Sequence, residues 1–171
     1  MFYIIALKAV RNFVALRVGG YIYMPKIGII AGSGFYDIEG VRVKEHKEIK
    51  TPYGSPSDPY RVCEWSGIEF AFLSRHGSPH RLAPHKVNYR ANIWGFRELG
   101  VERVLSVSAA GGINPELKPG DIVVTDQIID MTHGRASTFY DGAEVVHIDF
   151  TMPYCPELRN SIFNAGRGTG V

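Results

Sequence analysis

A chain of 171 residues that is 45% hydrophobic suits one globular domain, because about 150 residues already bury roughly two-thirds of the surface the unfolded chain exposes. Nineteen Lys and Arg against 17 Asp and Glu leave a net charge of +2. With no long block of one sign, this argues against a nucleic-acid binder or a protein held on an acidic membrane. The two cysteines, Cys63 and Cys155, are too far apart for a C-x-x-C pair and too few for a disulfide framework. They read as packed thiols of a reducing cytoplasm.

In chain order, residues 1–23, "MFYIIALKAVRNFVALRVGGYIY", stand apart. Lys8, Arg11 and Arg17 interrupt the apolar pattern, whereas a secretory signal places its charge ahead of an unbroken apolar run. The longest apolar stretch, Phe2 to Leu7, is too short to span a bilayer. An amphipathic surface anchor is one reading. The preferred one is a translation start set too early, with the domain occupying residues 24–171 and opening at Met24.

From Met24 the pattern is α/β. "KIGIIAGSGFYD" is an apolar run of strand length stopped by a glycine-rich turn. "YRVCEW" and "IEFAFLS", joined by Ser66-Gly67, read as a hairpin. "APHKVNYRANIWGFRELG" sets Val87, Ala91, Trp94 and Glu98 or Leu99 near helical spacing, with Gly100 placed to end the helix. "VERVLSVSAAGGI" is a further strand ending in glycines, and "LKPGDIVVTDQIID" is a turn followed by a strand. A loop-rich region then leads to a short helix near "CPELRNSIFNAG".

Three permissive polar loops therefore each follow an apolar strand: Gly32-Ser33-Gly34, Ser74-Arg75-His76-Gly77 and Ser108-Ala109-Ala110-Gly111-Gly112. Ligands of open α/β sheets collect beyond the carboxyl ends of strands, so these loops are expected to converge. Small residues let backbone N–H groups approach an anion, serine hydroxyls donate to its oxygens, and a guanidinium offers a planar fork matched to phosphate. The loops describe a phosphate site.

Other motifs fit less well. The first loop has Asp37 where G-x-G-x-x-G needs its third glycine, and no G-K-[ST] follows. His76, His80 and His85 are broken up by Gly77, Pro79 and Pro84, with no neighbouring carboxylate or thiol to complete a zinc set, so no metal is expected. G-x-S-x-G, the serine-hydrolase elbow, is absent.

Five segments in order, "KIGIIAGSGFYD", "TPYGSPSD", "RHGSPHRLAPHKVNYRANIWGFRELG", "SAAGGINPELKPGDIVVTDQIID" and "TFYDG…VVHIDF…PYCPELR", carry a resemblance to the trimeric branch of the methylthioadenosine and purine nucleoside phosphorylases. The resemblance implies a mixed central sheet flanked by helices, a soluble cytoplasmic homotrimer, and no metal or organic cofactor, inorganic phosphate being a co-substrate. It implies phosphate-binding roles for Ser33, Arg75, His76, Ser108 and the backbone at Ala109. His80 is similar to a histidine near the ribose and phosphate, and His147 to one that reaches a neighbouring subunit's pocket at the sugar 5′ end. The partners implied are a purine nucleoside and phosphate.

Members of that family continue past the point where this chain stops. The part of the domain that carries the acidic or amide side chain facing the purine is expected to be missing, so no catalytic residue is assigned. The stretch from "DMTHGRASTFYDG" to "HIDFTMPY" leans toward methylthioinosine-type members. A phosphorylase of inosine or guanosine is the alternative enzyme, and a non-catalytic remnant the alternative of another class.

Overall fold

The computed structural model describes residues 2–9, 26–32 and 38–167. Among these residues seven strands, β1 Phe2–Ala9, β2 Ile27–Ala31, β3 Arg42–Lys47, β4 Tyr60–Trp65, β5 Ile68–Ser74, β6 Arg103–Ala110 and β7 Ile122–Val124, form one mixed sheet in the order β3-β4-β5-β2-β6-β1-β7. The helices are α1 Tyr89–Glu98 and α2 Pro156–Arg167, with a 3-10 turn at Pro84–Lys86. The expected α/β class is observed. Among the described residues no helix is long and apolar enough to cross a membrane.

β2 sits at the centre, parallel to both β5 and β6. Its apolar run "IGIIA" is buried at Gly28, Ile30 and Ala31 and half-buried at Ile27 and Ile29, as suits a central strand with parallel neighbours. Gly28 lets α1 approach: a Cβ there would lie 2.7 Å from the Phe96 ring. The β4–β5 hairpin turns at Ser66 (φ 51°) and Gly67 (φ 78°), the paired left-handed residues of a two-residue turn that matches strand twist.

α1 starts at Asn88, whose side-chain oxygen accepts from the Ala91 N–H at 3.1 Å. It ends where the Gly100 N–H reaches Arg97 O at 2.9 Å and the Val101 N–H reaches Phe96 O at 3.0 Å, with Gly100 at φ 70°. That is a Schellman termination. The buried stripe differs from the expected one. It runs through Ala91, Asn92, Gly95 and Phe96, while Trp94 sits at the margin, edge-on to Tyr53 and under the Arg97 guanidinium.

The reason lies in Tyr60, fully buried on β4. Its ring meets Phe96 edge-on at 5.0 Å, its hydroxyl donates to Asn92 O at 2.7 Å, and a Cβ on Gly95 would collide with that hydroxyl. Burial pushes the Tyr60 phenol above its ordinary pKa. Asn92 accepts from the Ser57 N–H at 2.8 Å and donates to Ser57 Oγ at 2.9 Å, so these two buried side chains satisfy each other and the 51–58 loop is pinned to the helix.

On this face Ile30, Tyr60, Leu73, Phe96, Leu99 and Val104 form the larger core; Ala31, Cys63, Phe70, Phe72 and Val107 form a second cluster. Burial raises the Cys63 thiol pKa against the opposing charge of Arg61, as suits a packed thiol.

Two strands fall outside the sequence-predicted elements. β3 has five of its six residues exposed, so no buried face marks it. It is held by its ladder to β4 and by ion pairs of Arg42 with Glu64 at 2.9 Å and of Lys44 with Glu69. β1, from the segment set apart as an extension, lies antiparallel to β6 and parallel to β7. Its backbone pairs Ile4 with Ser108 and Tyr3 with Ala109.

Candidate functional site

Because β2, β5 and β6 are parallel, their carboxyl ends share one edge of the sheet. The register sets Ala31 beside both Ser74 and Val107, so the next residues, Gly32, Arg75 and Ser108, come side by side. The Arg75 N–H donates to Ala31 O at 2.9 Å, extending the ladder by one step.

Arg75 then reaches across this edge. Its Nη1 donates to Ser108 Oγ at 2.6 Å and to Val107 O at 3.2 Å. A Cβ on Gly32 would stand 3.4 Å from Nη2, in van der Waals contact with the guanidinium. Three strand ends meet around one half-buried cation, which retains the planar geometry that matches an oxyanion.

The loop after Arg75 folds back on itself. Gly77 N–H donates to Ser74 O at 3.1 Å, and the N–H groups of Arg81 and Leu82 both donate to His76 O, at 3.0 and 2.9 Å. Gly77 has φ 74°, and a Cβ there would lie 2.8 Å from Arg81 Nε, so a side chain is excluded by both conformation and space. Arg81 donates to Ser57 O at 2.7 Å and pairs with Asp58 at 3.6 Å, tying this loop to the one pinned on α1. His76 Nδ1 lies 2.8 Å from Leu82 O, its Nε2 accepts from Arg75 Nε at 3.4 Å, and its ring stacks on His80 with centroids 4.4 Å apart.

Of the residues singled out in the sequence, Arg75, His76, His80 and Ser108 are thus brought together. Ala109 follows Ser108 on β6 with its side chain exposed. Ser33 lies outside the described residues. His147 is exposed in the loop-rich stretch between β7 and α2.

Three groups had no sequence signal: the carbonyls of Val107 and Leu82, which no residue letter encodes, and Arg61. The last sits on β4 with its guanidinium over Phe72 at 4.8 Å and donates to the buried Ser74 Oγ at 2.5 Å, bracing the start of the loop. A cleft of about 740 Å³ opens beside Arg81, bordered by Lys50, Thr51, Ser55 and Asp58. Neither Arg75 nor Ser108 lines it, so it is a space next to the strand-end cluster and not the cluster itself.

The family model described as the phosphorylase superfamily matches residues 26–171. The chain belongs to this superfamily. Among its superfamily relatives, a 6-oxopurine nucleoside phosphorylase of Pyrococcus furiosus is 50% identical over 155 residues, covering 86% of this chain and 57% of the relative. A probable S-methyl-5′-thioinosine phosphorylase of Thermodesulfovibrio yellowstonii is 51% identical over 147 residues, covering 85% and 55%. A solved methylthioadenosine phosphorylase from an antarctic soil metagenomic library superposes with a TM-score of 0.81 at 43% identity, covering 86% of this chain and 52% of that one. The chain spans about half the length of the superfamily members it matches.

Proposed function

We propose that this chain carries the phosphate half of a purine nucleoside phosphorylase site. The reaction is attack of an inorganic phosphate oxygen on the anomeric carbon of a purine nucleoside. The bond to the base breaks, giving free purine and a sugar 1-phosphate. The observation that carries this reading is the shared register of Ala31, Ser74 and Val107, with Arg75 bridging to Ser108 one step beyond it.

Departure of the base leaves oxocarbenium character on the ribose. An anion held beneath the ring both stabilises that charge and is positioned to attack. In this reading Arg75 offsets most of the phosphate charge, while Ser33, Ser108 and the Ala109 backbone orient its oxygens beside His76. His80 and His147 belong to the sugar side, the latter reaching a neighbouring protomer of a homotrimer. The enzyme would serve purine salvage in the cytoplasm, with phosphate as co-substrate and no metal or organic cofactor.

The substrate proposed is S-methyl-5′-thioinosine or S-methyl-5′-thioadenosine, and the stretch from "DMTHGRASTFYDG" to "HIDFTMPY" leans toward the thioinosine. Inosine or guanosine is the second reading, favoured by the 50% identity to a 6-oxopurine phosphorylase. Incubating the purified chain with phosphate and each of methylthioadenosine, methylthioinosine and inosine, then following base release, separates the two. Spanning about half the length of its relatives, the 171-residue chain alone is expected to turn over little. Robust base release by it would contradict that.

Phosphate binding by calorimetry tests the site itself. Arg75→Lys keeps the charge and loses the fork, and removing a preorganised donor from such a site costs about 2–4 kcal/mol. Phosphate affinity in that variant is expected to fall at least about tenfold. Unchanged affinity would remove Arg75 from the site.

A further inference from the structure

His76 has both ring nitrogens engaged by its own chain, and the chemistry of the two partners dictates which nitrogen bears the proton. The Leu82 carbonyl, 2.8 Å from Nδ1, can only accept, so Nδ1 donates. The Arg75 Nε–H, 3.4 Å from Nε2, can only donate, so Nε2 presents its lone pair. His80 stacks on the ring within 9° of parallel and keeps its plane from turning.

We propose that His76 is a positioning residue: locked by the Leu82 carbonyl as the neutral Nδ1–H tautomer, it accepts from Arg75 Nε and sets the plane of the guanidinium whose Nη1 meets Ser108. The inference deepens the phosphate-site reading and rests on it for its functional meaning. It changes the role of His76 from a phosphate ligand into the acceptor that orients the main cation. The guanidinium is then held from two edges, by His76 at Nε and by Ser108 and Val107 at Nη1, before any anion arrives. A site fixed in advance spends no reorganisation when charge develops. The fold supplies the lock locally, because the Arg81 and Leu82 N–H groups both close on His76 O and bring the Leu82 carbonyl back to the Nδ1 edge of the ring.

The test begins with two-bond proton–nitrogen correlation spectra of the ¹⁵N-labelled 171-residue chain without phosphate. A protonated Nδ1, a bare Nε2 and a slowly exchanging Arg75 Nε–H are expected. A proton on Nε2 in the resting chain overturns the proposal with no variant needed.

Two substitutions then separate the edges of the ring. His76→Gln keeps an acceptor at the reach of Nε2 and should retain the Arg75 signal and inorganic phosphate affinity. His76→Asn keeps only a donor toward Leu82. It should lose the Arg75 signal and bind phosphate at least about tenfold more weakly, the loss expected when a hydrogen bond to a charged group goes. Amide spectra outside residues 74–82 serve as the check on folding. An Asn variant with an unaltered Arg75 signal overturns the proposal. The expected tautomer and Arg75 signal in a chain that binds no phosphate would uphold the positioning role and sink the phosphate-site reading instead.

Discussion

Among the described residues, the buried apolar core runs from Ile30 to Val107, whereas Ile113, Ile129, Met131, Val145 and Met152 are all at least 72% exposed. The two regions differ less in composition than in what their backbones are paired with. Strands β2, β4, β5 and β6 lie side by side in the sheet, and α1 packs on one face of them through Phe96, which clusters with Ile30, Tyr60, Leu73 and Val104. Between residues 111 and 167 the described elements are the three-residue β7, paired with β1, and α2, which has no buried residue.

The later region still satisfies part of its backbone locally. Asp130 accepts from Thr132, Thr138 from Tyr140 and Asp149 from Thr151, each two residues on. Those bonds hold the Asp130 and Asp149 carboxyls below their usual pKa range. Local turns can thus answer the hydrogen-bonding demand of a segment without burying its side chains. Burial requires a facing layer, and only the earlier region has one here.

Substitutions should fall into two classes along that divide. Phe96→Ala empties the space between Gly28, Tyr60 and the helix, and is expected to cost about 3–5 kcal/mol in urea unfolding. Gly95→Ala adds one methyl group against the Tyr60 hydroxyl and should cost about 1–3 kcal/mol by overpacking. If the Gly95 variant matched the parent, α1 would not rest on Tyr60 as closely as described.

How much of this is readable beforehand depends on whether a feature is written in side chains. β2, the β4–β5 hairpin, α1 and β6 are legible because apolar runs stop at residues with turn or capping chemistry, Ser66-Gly67 and Gly100 among them. β3 is not, since an exposed edge strand needs no apolar face. The stripe of α1 is misjudged at Trp94 because the burial of Asn92 and Gly95 depends on Ser57 and Tyr60, far away in sequence. The strand-end loops can be picked out for the same reason as the strands. Spacing does not reveal that Gly32, Arg75 and Ser108 share a register position, nor that a carbonyl at Leu82 fixes a histidine.

A smaller effect concerns Tyr60 and pH. Burial raises its folded-state pKa, so the unfolded chain releases this proton first, near its ordinary pKa of about 10. The stability it contributes is complete below that pH. Above it, while the folded phenol stays protonated, stability falls by about 1.4 kcal/mol per pH unit. Tyr60→Phe loses the bond to Asn92 O, worth about 1 kcal/mol, but removes this slope. The variant should therefore be the less stable protein at neutral pH and overtake the parent roughly one unit above pH 10. Parallel curves through that range would mean that Tyr60 is hydrated in the folded chain.

The smallest expected effect is the sharpest test of the division. Met131 is 85% exposed, so Met131→Ser removes a side chain that touches little and should change stability by less than about 0.5 kcal/mol. It should also improve solubility, because one apolar group leaves a segment that already exposes Ile128 and Ile129. A loss comparable to that of Phe96→Ala would show that residues 125–152 pack onto a second layer in solution. The contrast between a covered sheet and an uncovered tail would then have to be redrawn around that layer.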